Sequence, residues 1–229
     1  MQRKTVFYAE AAFVLGIIIL AFGVAFMEKA DFGMSMVVVP AYLIHLKVSQ
    51  FLPLYTFGVS EYVFQAFLML LLALLTRRFK KSYLLSFATA FVYGHVLDLT
   101  MIIVGLIPFE GLVWRIVCYA VGVLICAAGI ALLFHTYLPT EVYELFVKEF
   151  AERFGIPIDR TKMVYDCCSC LIGIILSFCF FGFGSFVGVK WGTILCALIN
   201  GWLIGRFSHL LDSFFVFRDA LPWRNWFTK

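Results

Sequence analysis

Residues 6–27 read VFYAEAAFVLGIIILAFGVAFM, an apolar run interrupted by a single charge, Glu10. Coiled as a helix at about 1.5 Å per residue, the run is roughly 33 Å long, enough to cross a hydrocarbon layer about 30 Å thick. Arg3 and Lys4 precede it as they would in a signal peptide, but no small-residue cleavage pattern follows. It reads as a retained first helix.

Working outward, five further tracts of similar length appear at about 57–76, 82–106, 113–134, 163–183 and 191–211. The composition agrees: 63% of residues are hydrophobic and 14% charged, where soluble domains carry roughly 25% charged residues. Six spans consume about 120 residues and leave no stretch for a separate soluble domain. The chain is therefore expected to be an all-α polytopic membrane protein. Its net charge of +4 resides in short loops beside apolar helices, where basic residues orient a membrane protein, and this argues against a nucleic-acid partner. All seven cysteines (118, 126, 167, 168, 170, 179 and 196) fall inside predicted spans, so no disulfide framework is expected.

Placing the N-terminus in the cytoplasm puts 13 Lys and Arg inside: Arg3, Lys4, the four between 77 and 81, the four between 148 and 162, and three in the tail. Lys29, Lys47, Arg115 and Lys190 fall outside, and Arg206 lies within a helix. This asymmetry predicts cytoplasmic termini and six crossings of a bacterial inner membrane. Trp223 and Trp226 are expected to anchor the tail at the interface.

Two shorter segments differ from the spans. Residues 36–48 are apolar but contain Pro40 and are too short to cross, which predicts an interfacial or re-entrant helix. In 140–154, Tyr143, Phe146, Val147, Phe150 and Phe154 share one helical face, with Glu141, Glu144, Lys148 and Glu152 opposite. Thr140 is placed to cap the start and Gly155 the end, with Pro157 beyond. The pattern predicts an amphipathic helix lying on the membrane surface. Should either short helix dip into the bilayer, Ser35 or Thr140 would mark an N-terminus whose free N–H groups face an anion.

A shift of about 106 residues aligns the two halves in the order span, short segment, span, turn, span. Gly23-Val24-Ala25 then faces Gly129-Ile130-Ala131, Glu61 faces Asp166, and Ala90 and Gly94 face Ala197 and Gly201. Each half has three crossings, an odd number, so the second half enters from the opposite side. This predicts two inverted three-helix repeats, residues 1–109 and 110–217, followed by a cytoplasmic tail at 218–229.

Several of these motifs resemble the YitT/YczE group of bacterial integral membrane proteins. The similarity rests on Lys29-Ala30-Asp31-Phe32-Gly33-Met34-Ser35, on Phe57-Gly58-Val59, and on Gly94 with Asp98. It also rests on Val187-Gly188-Val189-Lys190-Trp191-Gly192-Thr193 leading into Ala197-Leu198-Ile199-Asn200-Gly201. The resemblance covers nearly the whole chain and implies six spans in a bacterial inner membrane. Glu61 departs from the family pattern, so its role is not carried over.

An ionisable side chain at mid-bilayer costs from about 2.5 to over 10 kcal/mol and so needs a partner, a cavity or a task. Glu61 and Asp166, near opposite faces, are either stations for a cation or proton or hydrated interfacial acids. His95 and Asp98, at i and i+3, share a face and are expected to hydrogen-bond, as a path lining or as a structural clamp. Gln65 follows Glu61 by one turn, and Asn200 lies beside Gly201 on a small-residue face suited to close helix packing. Arg206 is expected to snorkel or to pair with Asp166, while His209 and Asp212 repeat the i, i+3 spacing near the inner end.

Neither a paired-histidine metal motif nor a nucleophile elbow is present, so no enzyme, cofactor or metal is expected. The expected function is a small secondary transporter or channel for a small polar or charged solute, with Glu61, Gln65, His95, Asp98, Asp166 and Asn200 along its path. The alternative is a non-transporting membrane subunit that docks a protein partner through the 140–154 helix. A homo-oligomer is compatible with either.

Overall fold

The structure, a computed structural model, describes residues 5–108 and 111–221. Arg3, Lys4, Trp223 and Trp226, invoked above for orientation and anchoring, lie outside the described residues. Eight helices occur among those described: α1 (Ala9–Ala30), α2 (Val39–Val48), α3 (Phe57–Thr76), α4 (Lys81–Gly105), α5 (Leu112–Phe134), α6 (Val142–Phe154), α7 (Ile158–Phe181) and α8 (Trp191–Phe214). Six of them, all but α2 and α6, are long and apolar enough to cross a membrane. The chain is an all-helical integral membrane protein with a short helix inserted after its first and fourth spans.

The first span begins later than the hydropathy suggests, because β1 (Thr5–Tyr8) pairs in parallel with β2 (Phe215–Arg218). Aromatic residues favour this extended pairing, and the Phe7 ring lies 5.3 Å from Phe215 and 5.8 Å from Phe217. The strands join the start of α1 to the end of α8. Glu10, the acid that interrupts the first span, sits beside them and accepts from Tyr137 Oη at 2.6 Å, Ala220 N at 3.0 Å and Leu221 N at 2.9 Å. Its charge is therefore met by donors at the end of the bundle.

We call this end, which also carries the Arg77–Lys81 cluster, the basic end. At the other end two of the sequence motifs meet. Met34 N donates to Gly188 O at 2.9 Å and Gly192 N to Phe32 O at 2.9 Å. Lys190 Nζ and Arg115 reach the Asp31 carboxylate at 2.6 and 3.2 Å. Asp31 adopts the left-handed conformation (φ 54°) as it closes α1. Gly33 packs so tightly on Thr193 and Lys190 that a side chain there has no room.

The centre of the bundle is the crossing of α1 and α5, which pack through glycines. A Cβ on Gly129 would lie 2.7 Å from Leu20 N and 3.0 Å from Gly16 O, and one on Gly122 would lie 2.9 Å from Gly23 O. In lipid, helices associate through such close backbone approach, since burying apolar surface against apolar tails gains little. Adding 106 to 16 and 23 gives 122 and 129, so the contacts Gly16–Gly129 and Gly23–Gly122 exchange under that shift.

The other helices pack around this crossing in matched pairs. α4 lies on α1 as α8 lies on α5; α2 lies on α7 as α6 lies on α3; and α2 touches α3 as α6 touches α7. The contacts of α4 with α3 and α6 have no counterpart of similar extent between α8 and α7 or α2 among the described residues.

The helix at 140–154 does not lie flat. Glu149 near its end is held by Lys80 Nζ at 2.6 Å and Tyr83 Oη at 3.2 Å at the basic end, whereas its first N–H, on Val142, donates to Gln65 Oε1 at 3.0 Å. Gln65 lies about 16 Å along α3 from Thr76, so α6 stands beside α3 with its N-terminus halfway up. The surface placement expected from its charges gives way because Val142, Tyr143, Val147 and Ala151 are buried, in contact with α3, α4 and α7. Its N-cap is Glu141 rather than Thr140, and Gly155 (φ 66°) closes it as expected. α2 is arranged likewise on α7: Val39 packs on Gly173, and Lys47 Nζ reaches Phe180 O at 3.5 Å. Both short helices thus start inside the bundle and run outward.

Candidate functional site: a buried acid junction

Where α6 begins, two carboxyl groups are buried together. Glu61 and Gln65 face the same way because they are one turn apart on α3, and both are 0% exposed. Glu61 Oε2 accepts from Tyr143 Oη at 2.7 Å. Gln65 Nε2 donates to Glu141 Oε2 at 3.1 Å and approaches Glu61 Oε2 at 3.5 Å. Its Oε1 takes the Val142 N–H, so one amide holds two acids and the first turn of α6.

The other carboxyl oxygens, Oε1 of Glu61 and of Glu141, are buried and have no donor. Leaving a buried polar atom unsatisfied costs about 1–3 kcal/mol, more if it is charged. A proton or a small cation on either oxygen would relieve that cost. Tyr165 belongs to the buried cluster that also holds Tyr143 and packs on Phe146 of α6, ring centroids 5.5 Å apart.

For Glu141, which precedes α6 and belongs to no span, burial pushes the carboxyl well above its ordinary range, and the neighbouring acids Glu144 and Glu61 push the same way. The Gln65 hydrogen bond opposes the shift. So does the α6 N-terminus, whose dipole favours an anion by about 0.3–1 kcal/mol. Desolvating a charge costs several kcal/mol, so burial outweighs both and the net shift is upward.

The remaining sequence candidates are dispersed. Asp98 does not pair with His95: its oxygens take Thr56 Oγ1 at 2.6 Å and Gly58 N at 2.7 Å, capping the start of α3. His95 is exposed, with Nδ1 at 2.8 Å from Phe91 O and its ring stacked 6.0 Å from Tyr62. Asp166 is half-buried on α7 and paired with Lys162 at 3.1 Å, one turn earlier. Asn200 lies on α8 with its amide oxygen buried and unpartnered. Arg206 lies over the Trp202 ring at 5.6 Å, and Asp212 meets His135 at 3.1 Å.

Sequence reasoning found Glu61 and Gln65 but missed Glu141 and Tyr143. A polar i, i+4 pair inside an apolar span demands a polar partner, and that was the available signal. Glu141 was instead assigned to the solvent side of an amphipathic helix, a placement that periodicity alone does not contradict.

The comparisons with known proteins name no activity. The chain is 26% identical over 209 residues to "Uncharacterized protein YyaS" of Bacillus subtilis (strain 168), an alignment covering 90% of this chain and 94% of that one. No solved structure matches it. The family described as "Family of unknown function (DUF6198)" matches residues 7–209. The chain belongs to that family.

Proposed function

We propose that the protein is a small secondary transporter that moves a small polar or charged solute across the bacterial inner membrane, without enzymatic activity. The carrying observation is the acid junction: two carboxyl groups with unpartnered oxygens, buried where a helix starts inside the bundle. Buried ionisable groups in membrane helices mark ion and proton paths, and helices that begin inside the bilayer are where transporters place their sites. Glu61 and Glu141 are assigned the exchangeable proton or cation, with Gln65 and Tyr143 holding them in place.

The reading includes two inverted repeats, 1–109 and 110–217, with the basic end and the tail at 218–229 in the cytoplasm. The exchange of Gly16–Gly129 with Gly23–Gly122 under a shift of 106 supports it, as do the matched helix pairs. It also includes kinship with the YitT/YczE group, whose quoted motifs meet in space at Asp31–Lys190 and at Gly58–Asp98. The alternative, a docking subunit using the 140–154 helix, is less favoured because α6 already spends much of its apolar face on its own chain.

The test is thermal stabilisation of the purified protein against ions, amino acids, organic acids and metabolites at two pH values, beside Glu61→Gln and Glu141→Gln. Ligands of the folded state raise its apparent stability by mass action. A hit whose strength depends on pH in the wild type and not in the variants is expected. A ligand that stabilises all three proteins equally at both pH values would remove the junction from the mechanism.

A further inference from the structure

The two halves are packed alike except at one place, and that exception points to a second conformation. In the first half α3 is sealed on α4: Gly58 and Gly94 touch backbone to backbone, and a Cβ on Gly94 would lie 2.6 Å from Gly58 O. Asp98 fastens the seal by taking Gly58 N and Thr56 Oγ1. A shift of 107 carries Ala90 and Gly94 onto Ala197 and Gly201 of α8, and Gly205 continues that stripe one turn on.

On α8 the two glycines of the stripe meet nothing among the described residues. A Cβ on Gly201 or Gly205 would have no atom of the described residues within 4 Å, and α8 buries only Gly192, Thr193 and Cys196 among its described residues. α8 is held by α5, and neither α7 nor α2 covers it as α3 and α6 cover α4. Beside the bare stripe, the Asn200 amide oxygen is buried without a donor.

The α7–α8 turn is fastened at the end away from the basic loop. Ser177 Oγ bonds Ser185 O and receives Val187 N at 2.8 Å, and Gly192 N is tied to Phe32 O. The stretch of α8 from Gly201 onward is the part left apart, so the opening faces the basic end.

We propose that α7 and α8 close on each other through Gly201 and Gly205 in a second conformation, while α3 parts from α4 at Gly58 and Gly94. The present structure is then the state in which α7 and α8 lie apart toward the basic end while the acid junction is buried, and the exchange of the two packings changes which side covers that junction. α7 packs on α6, the helix that begins at the junction, through the Tyr165–Phe146 contact. This exchange follows from helix packing and is independent of which solute binds. The role given to the exchange rests on the transport reading, but the exchange itself does not, and the transport reading does not depend on this particular exchange.

The test places spin labels on cysteines introduced at Leu171 of α7 and Leu198 of α8, both exposed, with Cys167, Cys168, Cys170 and Cys179 replaced by alanine. Distances are measured in lipid nanodiscs and in proteoliposomes. Two populations are expected in the wild-type background, one of them shorter. Gly201→Leu has room in the present state and blocks closure, so the shorter population should vanish while the melting temperature is kept; Gly201→Ala should reduce it. Gly94→Ala should enrich it.

A single long distance in every background would overturn the proposal. So would a short distance that disappears when labelled protein is diluted with unlabelled protein, because the stripe would then hold a second copy of the chain. Closure without any ligand response leaves this proposal standing and removes the transport reading. A pH-dependent ligand with a single distance does the reverse.

Discussion

Gln65→Leu is the substitution that most directly tests the acid junction. Leucine is close to glutamine in size, so it fills the site without a large void and removes only the amide. Three interactions then fail: Val142 N–H loses its acceptor at 3.0 Å, Glu141 Oε2 its donor at 3.1 Å, and Glu61 Oε2 the longer approach at 3.5 Å. The first two orphan buried groups at about 1–3 kcal/mol each, and better burial of the leucine side chain offsets roughly 1–2 kcal/mol. The net loss is about 3 kcal/mol. At roughly 2–4 °C per kcal/mol for a chain of this size, the melting temperature should fall by about 6–12 °C, measured at one scan rate because membrane proteins often unfold irreversibly. Glu141→Leu in the Gln65→Leu background should cost less than in the wild type, with a coupling of about 0.5–3 kcal/mol. A fall below about 2 °C for Gln65→Leu, or full additivity in the cycle, would refute the claim that this amide holds α6 to the two acids.

Other substitutions separate structural from chemical roles. Gly129→Ala forces a methyl to within 2.7 Å of Leu20 N and should destabilise by about 1–3 kcal/mol, whereas Gly201→Ala, in open space, should be neutral or stabilising by up to about 1 kcal/mol; thermal unfolding of both compares them. Asp98→Ala removes the acceptor of Gly58 N and Thr56 Oγ1 and should cost about 1–3 kcal/mol, while His95→Ala should change the melting temperature little. For pH, the Glu141 carboxyl is raised above its ordinary 4.5 by burial, so its contribution to stability is fully present below about pH 4.5 and is lost as pH rises through the folded value. Melting temperatures should therefore fall across that window in the wild type and fall less steeply in Glu141→Gln.

Hydropathy alone placed the spans because a helix crossing lipid must be apolar over a fixed length. Residues 57–76 match α3 to the residue, and 113–134 differs from α5 by one. Gly23 and Gly129 also stood out in the sequence, and both lie at the α1–α5 crossing, since small residues at a helix crossing leave a mark in sequence. Two things were not. The tilt of α6 into the bundle depends on who covers Val142 and Tyr143, and amphipathic periodicity describes a buried face without naming what buries it. Asp98 illustrates the second limit: at i+3 from His95 it has the spacing of a polar pair, yet its oxygens are taken by the Gly58 N–H and the Thr56 hydroxyl at the start of another helix, which no intrahelical pattern reveals.

The pairing of Glu61 with Asp166 across the repeat now takes a different meaning. Equivalent positions in a symmetric pair of halves should share an environment, but Glu61 is fully buried against Tyr143 and Gln65 while Asp166 is half-buried beside Lys162. Nor do the two short helices start alike: α6 opens on Glu141, whereas Val37, ahead of α2, packs into the apolar cluster that also holds Val142 and Tyr143. In the proposed repeat the acid chemistry therefore sits at one of two equivalent helix contacts, α3 with α6, with Glu61 supplied by the first half and Glu141 by the second. Two halves that pack alike would supply two arrangements of similar energy, and an acid pair at only one of the two contacts would meet a different environment in each. On the transport reading proposed above, two stations on opposite faces are then unnecessary: one junction, alternately exposed, would take up a proton or cation from one side and release it to the other.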